Sequence, residues 1–494
     1  MSGVEGPIAF GTARARWVLA ATALGSGMAF LDGTVVNVAL PMMGRDLGAE
    51  MSGLQWIING YMLMLAALIL LSGSLGDRLG RRRLFVIGVI WFAAASIVCT
   101  VAPNLGVMIA GRVLQGIGGA LLTPGSLAIL QTSFRPGDRG RAVGAWSGLT
   151  SVAAAIGPFV GGWLVDSGSW RLIFLINVPL AIITVAITLR HVPETKDDTV
   201  TGPLDLAGAL LATIGLAALT YGLIDAGNRG FGDAAVIGTL AGGVLALIAF
   251  VVVEIRSAHP MLPPGIFADL RFTGANLVTV VVYGALGTAT FLIVVYFQEV
   301  LGYSALLAGA ALLPMTALML TLSGQAGALA ERVGARIPMT LGPLLMAGGF
   351  VLMQRVSPDT SYLTTVLPAV LVLGFGLVLT VAPLTAVVLS SVDDQHAGVA
   401  SGVNNAVARS AQLMAVAAIP LAAGITGDVY RDPIAFDNSF RTAMWLSAAL
   451  ALAGAVLAAV TLGPRPVRRT PEAAESHRHC ALESPPLSSH VRSR

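Results

Sequence analysis

The chain has 494 residues, of which 55% are hydrophobic and only 11% charged, and its formal net charge is +3. A soluble domain has about 25% charged residues, so this composition excludes a soluble protein. It indicates a chain that lies in a lipid bilayer, where each spanning helix needs about 20 mostly apolar residues. The two cysteines, one in an apolar run and one near the chain end, do not suggest a disulfide framework.

The hydropathy pattern predicts fourteen membrane spans between two polar tails, 1–16 and 463–494. The first apolar run is too long for a signal-peptide core and indicates an uncleaved span. The predicted spans cover residues 17–40, 54–75, 84–102, 105–130, 141–165, 171–190, 206–226, 234–254, 271–298, 303–324, 337–356, 361–390, 398–424 and 440–462. The expected fold class is an all-α integral membrane protein with 14 transmembrane helices.

The distribution of arginine predicts the orientation of these spans. Most of the 29 lysine and arginine residues fall in the tails and in loops on the same side of the membrane as the N-terminus. Cytoplasmic segments of membrane proteins are enriched in these residues, so we expect both termini to be cytoplasmic. The C-terminal tail is rich in proline and scattered charges, and we expect it to be disordered.

A glycine- and arginine-rich decapeptide occurs twice, at 73–82 (G-S-L-G-D-R-L-G-R-R) and at 327–336 (G-A-L-A-E-R-V-G-A-R). Each copy is expected to form a loop between two apolar segments, the first after span 2 and the second after span 10. An offset of eight spans suggests two six-helix bundles with two extra helices between them. The corresponding domains are an N-terminal bundle at 17–190, two additional helices at 206–254 and a C-terminal bundle at 271–462. Paired bundles around a central site are common in secondary transporters.

Further motifs resemble a known family. The first decapeptide resembles the loop signature of the major facilitator superfamily. The segments L-D-G-T-V-V-N-V-A-L-P at 31–41, G-R-V-L-Q-G at 111–116, G-P-F-V-G-G at 157–162 and W-R-L-I-F-L-I-N-V-P at 170–179 resemble its drug:proton antiporter branch with fourteen spans. One departure is visible, because Ala153 occupies a position where the antiporter pattern has glycine. The resemblance implies a bacterial cytoplasmic-membrane protein.

Asp32 is the strongest candidate for a functional residue. A charged side chain at membrane depth costs about 2.5–3.5 kcal/mol on insertion scales, and such residues are usually retained for a function. Asp32 is expected about 12 Å below the outer end of its helix, at about 1.5 Å per residue. Its carboxylate could bind a proton or a cationic substrate. The alternative is a carboxylate that only forms a hydrogen bond to a neighbouring helix.

Arg112 is expected at a similar depth on span 4. The resemblance associates the arginine of this motif with proton transfer and places Asp32 at the matching acidic position of span 1. An adjacent guanidinium favours the ionised carboxylate, so separation of the two groups would produce a proton switch coupled to conformation. A static structural ion pair is the alternative.

Two glycine-rich motifs are predicted to contribute to gating. The antiporter motif comprises Gly144, Gly157, Pro158, Gly161 and Gly162. The resemblance implies that this motif helps to seal an inward-facing cavity, although close helix packing alone could explain it. The first decapeptide is predicted to act as a gating latch through Gly73, Asp77, Arg78, Gly80 and Arg81. Membrane topology alone could explain its arginines, but its glycines suit a tight turn.

Several polar residues within spans are candidates for lining a cavity, although hydrogen bonding between helices explains each of them equally well. These residues are Asn37, Gln55, Asn59, Tyr61, Gln115, Asn404 and Arg409. The sequence contains no recognisable nucleotide-binding loop, metal cluster or catalytic triad. We therefore expect no enzyme activity, no metal, no cofactor and no nucleic-acid partner, and we expect a monomer in contact with membrane lipids.

The predicted function is a proton-driven antiporter that exports hydrophobic small molecules, with antibiotics and organic cations among the candidates. Export of an endogenous metabolite by the same scaffold is one alternative. A membrane sensor that binds a ligand without transporting it is another.

Overall fold

The computed structural model describes residues 7–196, 203–392 and 397–463, and this part of the chain is built from α-helices. The first seven helices are α1 (Ala13–Asp46), α2 (Met51–Leu79), α3 (Arg81–Thr100), α4 (Leu105–Ser133), α5 (Arg139–Ser167), α6 (Leu172–Leu175) and α7 (Asn177–His191). The other nine are α8 (Leu206–Arg229), α9 (Ala234–Arg256), α10 (Leu270–Glu299), α11 (Ala305–Ala310), α12 (Leu313–Val333), α13 (Arg336–Met353), α14 (Leu367–Ser390), α15 (Ala397–Ala422) and α16 (Pro433–Thr461).

Thirteen helical segments within the described ranges are long and apolar enough to cross a bilayer, and each matches a predicted span. Helices α6 and α7 together form one of these segments, and α11 and α12 form another. The remaining predicted span, 398–424, corresponds to α15, a 26-residue helix that contacts α2 and α10. Its polar residues, including Asn404, Arg409 and Gln412, make it less apolar than the other spans. The predicted fold class, an all-α membrane protein, is confirmed.

Two predicted spans are interrupted in the structure. The segment predicted at 171–190 breaks between α6 and α7, and the segment predicted at 303–324 breaks between α11 and α12. Pro179 lies in the first turn of α7 and Pro314 in the first turn of α12. A proline has no N–H and is therefore favoured in the first turn of a helix, which explains why a new helix begins at each of these points.

The loops predicted at 73–82 and 327–336 are mostly helical, so the prediction of ten-residue loops was wrong. Helix α2 continues to Leu79 and α3 begins at Arg81, which leaves only Gly80 between them. Helix α12 continues to Val333 and ends at Gly334. Gly80 has φ +104° and Gly334 has φ +85°, and this left-handed region terminates a helix most easily at glycine. Each decapeptide is therefore a helix end with a glycine cap.

The two central helices α8 and α9 form an antiparallel hairpin, called here the α8–α9 hairpin. Helix α8 packs against both α2 and α15. Leu63 and Ala67 of α2, Leu216 of α8 and Leu413 of α15 form a buried apolar cluster. The hairpin therefore contacts both the N-terminal helices (α1–α7) and the C-terminal helices (α10–α16).

The N-terminal and C-terminal helices are joined at the end of the molecule opposite to the start of α1 and the end of α16. Arg45 at the end of α1 forms an ion pair of 2.7 Å with Glu299 at the end of α10. Asp166 at the end of α5 accepts hydrogen bonds from the backbone N–H groups of Ala305 (3.1 Å) and Leu306 (2.9 Å) in α11. A carboxylate at a helix N-terminus also interacts favourably with the helix dipole.

A loop between α15 and α16 adds to these contacts. The Tyr430 hydroxyl donates a 2.7 Å hydrogen bond to the carbonyl of Ala49, and Arg431 donates to the carbonyls of Ala49 (3.0 Å) and Gly44 (3.2 Å). Burial raises the pKa of Tyr430 above its ordinary value, so its hydroxyl remains a donor at physiological pH. These bonds hold this end of the molecule closed.

Candidate functional site

The structure brings Asp32 of α1 and Arg112 of α4 into a buried ion pair. Arg112 Nη1 lies 2.5 Å from Asp32 Oδ2, and each residue is 1% exposed. Helix α1 continues to Asp46, so Asp32 lies deeper than the depth estimated from a predicted helix end at residue 40. The prediction that the two charges lie at similar depth agrees with their direct contact.

Arg112 makes several further contacts that fix its guanidinium. Its Nε donates a 2.9 Å hydrogen bond to the carbonyl of Ile57 in α2. The ring of Tyr61 lies 4.6 Å from the guanidinium carbon and the ring of Phe174 lies 5.8 Å from it. These distances are within the range of cation–π interactions. The guanidinium therefore connects α4 to α1, α2 and α6.

Gln115, one helical turn after Arg112, completes the partners of the carboxylate. Its Nε2 donates to Asp32 Oδ1 at 3.1 Å, and its Oε1 accepts from Arg112 Nη1 at 2.6 Å. The same Nε2 also donates to Ser96 Oγ at 2.8 Å, and Asn177 Nδ2 donates to that hydroxyl at 3.3 Å. Both oxygens of Asp32 thus accept hydrogen bonds, as an ionised carboxylate requires.

Ser96 and Asn177 were not identified from the sequence. Both are fully buried at 0% exposure. Asn177 falls within the motif at 170–179 that resembles the antiporter branch, but the motif alone does not assign it a partner. Ser96 lies in no such motif, and small polar residues that form hydrogen bonds to neighbouring helices are common in membrane helices. They are linked to the ion pair through the Ser96 hydroxyl, which accepts hydrogen bonds from Gln115 and from Asn177.

The other candidate cavity residues occupy varied positions. Gln55 Nε2 donates to the carbonyl of Val416 in α15 at 2.7 Å. The Tyr61 hydroxyl donates to the carbonyl of Ala29 at 3.4 Å. Asn59 is buried, and neither polar atom of its side chain has a hydrogen-bond partner among the described residues.

The two candidates in α15, Asn404 and Arg409, make different hydrogen bonds. The candidate in α1, Asn37, makes no contact within the described residues that indicates a role. Asn404 Nδ2 donates to Thr279 Oγ1 at 2.8 Å and to Asn276 Oδ1 at 3.1 Å, which ties α15 to α10. Arg409 donates to Gln412 of its own helix at 3.2 Å. Asn37 is half-buried in α1.

The glycines of α5 permit close contact with two other helices. A Cβ at Gly161 would lie 2.7 Å from Val35 of α1. A Cβ at Gly157 would overlap the hydroxyl of Thr34, and one at Gly162 would overlap the backbone at Leu306 in α11. Around Gly144 there is open space. The segment 157–162 therefore packs α5 against both the N-terminal and the C-terminal helices, whereas Gly144 does not contribute to this packing.

The first decapeptide forms a compact polar cluster at the end of the molecule where α1 begins and α16 ends. Asp77 accepts a hydrogen bond from Arg81 at 2.6 Å, so its carboxylate pairs with the start of α3. Arg78 donates to the carbonyl of Pro203 at 3.2 Å, ahead of α8. The positive φ of Gly80, and the carboxylate of Glu194 next to it, exclude a side chain at that position. Gly73 lies within α2 with open space around it, so the turn does not require it.

Comparison with known proteins identifies the family. A family model described as Major Facilitator Superfamily matches residues 22–416, which include Asp32, Arg112 and the whole of α5. The chain belongs to the Major Facilitator Superfamily. The matched region of this chain therefore contains both the buried ion pair and the glycine-rich segment of α5.

Two relatives of this major facilitator protein are antibiotic exporters by name. The tetracenomycin C resistance and export protein of Streptomyces glaucescens is 33% identical over 469 residues, which cover 94% of this chain and 87% of that protein. The cephamycin export protein of Amycolatopsis lactamdurans is 38% identical over 400 residues, covering 80% of this chain and 82% of that protein.

Solved structures show the same fold. The structure of a POT family transporter in complex with a thioalcohol-conjugated peptide matches with a TM-score of 0.66 at 14% identity, covering 90% of this chain and 96% of the other. At this identity the likeness supports a common major facilitator fold and nothing about substrate.

Proposed function

We propose that this major facilitator protein is a proton-coupled antiporter that exports hydrophobic small molecules across the bacterial cytoplasmic membrane. The observation that carries the proposal is the buried ion pair between Asp32 and Arg112, with Gln115 as their shared partner. A carboxylate at this depth can take up and release a proton, and ionisable residues inside membranes commonly mark such relays.

The contacts of Asp32 suggest how proton binding changes the conformation. Ionised Asp32 holds Arg112 and Gln115, and so fixes α1 against α4. A proton on either carboxylate oxygen removes the charge and turns one acceptor oxygen into a donor, which weakens the bond to Arg112. Helix α1 also carries Val38, whose carbonyl accepts a 2.8 Å hydrogen bond from Gln298 of α10. A shift of α1 therefore reaches the C-terminal helices.

We further propose the arrangement of this protein in the membrane. Both termini, and the polar cluster at Asp77–Arg81, face the cytoplasm. The chain is divided into a six-helix bundle at 17–190, two additional helices at 206–254 and a six-helix bundle at 271–462. In this orientation the ion pair of Arg45 with Glu299 closes the outer side, and the Asp32–Arg112 site lies within the N-terminal bundle.

We propose antibiotics and similar toxic compounds as the substrates. The names of the tetracenomycin C and cephamycin exporters support this class, since each covers most of this chain. The proton gradient supplies the energy, and the protein acts as a transporter and not as an enzyme, without a cofactor.

Accumulation of a fluorescent antibiotic or dye in bacteria that lack their own pumps tests this proposal. Cells that express the protein should accumulate less of the compound than cells expressing Asp32→Asn, and a protonophore should abolish the difference. Reduced accumulation that persists after full collapse of the proton gradient would contradict proton coupling. Equal accumulation for every compound tested, with ligand binding retained, would support the sensor alternative.

A further inference from the structure

The α8–α9 hairpin forms one wall of a cavity that the Asp32–Arg112 site does not account for. The cavity measures about 540 Å³ and lies between the hairpin, α2 and the C-terminal helices α10, α15 and α16. Its wall is almost entirely apolar and includes Leu216, Leu247, Phe250, Ala411 and Met414. A volume of this size suits one drug-sized molecule.

The cavity lies on the opposite side of α15 from Arg409. Val407, Ala411, Met414 and Ala418 line the cavity and follow one another at helical spacing. Arg409 is two residues from both Val407 and Ala411, which places it on the other face of the helix. None of the described residues that line the cavity is among the hydrogen-bond or ring contacts of Asp32 and Arg112, so the apolar cavity is separate from the proposed proton site.

A pair of carboxylates, Glu254 and Asp205, lies beside this cavity, past Phe250 on α9 and ahead of Ala212 on α8, and neither is part of the cavity wall. Glu254 follows Leu247 and Phe250 on the same face of α9 and is 2% exposed. Its Oε2 accepts a 2.9 Å hydrogen bond from the N–H of Leu262, a residue that also lines the cavity. Asp205, at the start of α8, accepts from the N–H of Gly208 through Oδ1 at 2.7 Å.

The second oxygens of the two carboxylates converge beside Gly208. Glu254 Oε1 and Asp205 Oδ2 are both buried and have no hydrogen-bond partner among the described residues. Each lies 2.7 Å from the position that a Cβ on Gly208 would occupy. Within the described ranges, neither carboxylate forms an ion pair with an arginine or lysine, unlike Asp32.

Two carboxylate oxygens that converge in a buried place repel each other unless a positive charge lies between or beside them. A shared proton satisfies this requirement when no ligand is bound. An organic cation beside the pair would satisfy it equally well, because the adjoining cavity is apolar and large enough for the body of such a molecule.

We propose that the α8–α9 hairpin carries a binding site for an amphipathic organic cation, with the apolar body of the ligand in the cavity and its positive charge beside Asp205 and Glu254. This site goes beyond the proposed transport function, because it is distinct from Asp32 and needs no gradient to bind. It gives the two additional helices a role in recognition.

Binding of two ions of nearly equal size and opposite charge tests the site. The purified full-length protein, in nanodiscs of uncharged phosphatidylcholine, is titrated with tetraphenylphosphonium and with tetraphenylborate. The wild type should bind the cation at least about tenfold more tightly than the anion. Glu254→Gln and Asp205→Asn should each weaken cation binding about tenfold, and Glu254→Asp, which keeps the charge, should weaken it less than about threefold.

Three further variants locate the bound cation. Ala411→Phe fills the cavity and should weaken binding of tetraphenylphosphonium. Asp233→Asn makes the same change of charge at the opposite end of α9, where Asp233 caps the helix, and should leave binding unchanged. Asp32→Asn should also retain cation binding at the hairpin, although we expect it to abolish efflux.

Two results would overturn the inference. The first is equal affinity for both ions, unaffected by Glu254→Gln, which would identify the cavity as an apolar crevice filled by lipid. The second is loss of cation binding in Asp32→Asn together with no change in the Glu254 and Ala411 variants, which would place the ligand at the central site. Thermal unfolding of each variant verifies that a loss of binding does not arise from a loss of fold.

Discussion

Asp32 and Arg112 are both 1% exposed. Because the pair is buried, the stability of the protein depends on the charge of each partner. Breaking a buried ion pair by removal of one partner costs about 3–5 kcal/mol, because the remaining charge has no compensation. In Asp32→Asn the amide oxygen can still accept a hydrogen bond from Arg112, so the loss of stability should be smaller. The amide cannot exchange a proton at physiological pH.

We predict that Asp32→Asn abolishes proton-driven efflux while the protein still inserts and folds, and that Asp32→Glu retains part of the activity. The double variant Asp32→Asn/Arg112→Gln leaves no buried unpaired charge, and it should recover thermal stability relative to Asp32→Asn without recovering transport. Efflux and thermal unfolding measured on the same preparations separate the two effects. Wild-type efflux by the double variant would exclude this pair as the coupling site.

A second prediction concerns Gly80, the residue between α2 and α3. Its φ of +104° is unfavourable for other residues, and a side chain would meet the carboxylate of Glu194. Gly80→Ala should therefore lower the free energy of unfolding by at least about 1–2 kcal/mol. Gly73→Ala is the matched control, because Gly73 is helical with open space around it and alanine favours helix. Equal thermal stability of both variants would contradict this assignment.

At the scale of single residues, the sequence predicted the charged pair but not its surroundings. Asp32 and Arg112 were identifiable because charges within apolar spans are rare. Glu254 lies at the end of a predicted span, so its charge does not stand out in the sequence from the charges of the following loop. Gln115 was predicted only as a cavity residue, since an amide in a membrane helix has many possible partners and its contact with Asp32 depends on how three helices pack.

Helix α5 provides a prediction at the scale of secondary-structure elements. A Cβ at Gly162 would overlap the backbone of α11, and backbone atoms cannot move aside as a flexible side chain can. Gly162→Ala should therefore destabilise the conformation that is closed at the Arg45–Glu299 end and reduce transport. Gly144→Ala should have little effect on either, because no atom lies within 4 Å of its Cβ position.

The rate of crosslinking between cysteines at positions 45 and 299 reports this closed conformation. We expect Gly162→Ala to slow the crosslinking and Gly144→Ala to leave it unchanged, each in the background of the cysteine pair. Unchanged crosslinking and transport in Gly162→Ala would show that close packing of α5 against α11 does not stabilise the closed conformation.

At the element scale, hydropathy located the membrane spans but not their ends. Helix α2 continues through residues 73–79, where glycine and charged residues suggested a loop. Such residues are tolerated in a helix that extends beyond the hydrocarbon region, and only the positive φ of Gly80 marks the true end. The interruptions before Pro179 and Pro314 were equally invisible to hydropathy, since the sequences on both sides of each are apolar.

At the scale of the whole molecule, the hydrogen bonds of Asp166, Tyr430 and Arg431 join the N-terminal and C-terminal helices at one end. In the proposed orientation this end faces outward. The internal repeat suggested two bundles, but which end is closed depends on contacts between residues far apart in the chain. No local pattern in the sequence encodes such contacts.

The orientation itself can be tested by accessibility of single cysteines. We predict that cysteines placed at the exposed positions 83 and 332 react with a membrane-impermeant maleimide only after the cells are opened, and that a cysteine placed at the exposed position 359, between α13 and α14, reacts in intact cells. Both native cysteines, the buried Cys99 and Cys480 near the chain end, should be replaced by serine in the background. Labelling of position 83 or 332 in intact cells would overturn the cytoplasmic assignment of the termini.

Coupled movement of substrate and protons in proteoliposomes tests the central claim most directly. The purified protein is reconstituted with a pH-sensitive dye inside the vesicles, and a transported antibiotic is added outside without an imposed gradient. We predict that substrate entering through the wild-type protein drives protons out, so that the interior becomes more alkaline, and that Asp32→Asn produces no change. Substrate uptake by the wild type without any change of internal pH, or an equal change in Asp32→Asn, would contradict proton antiport through this site.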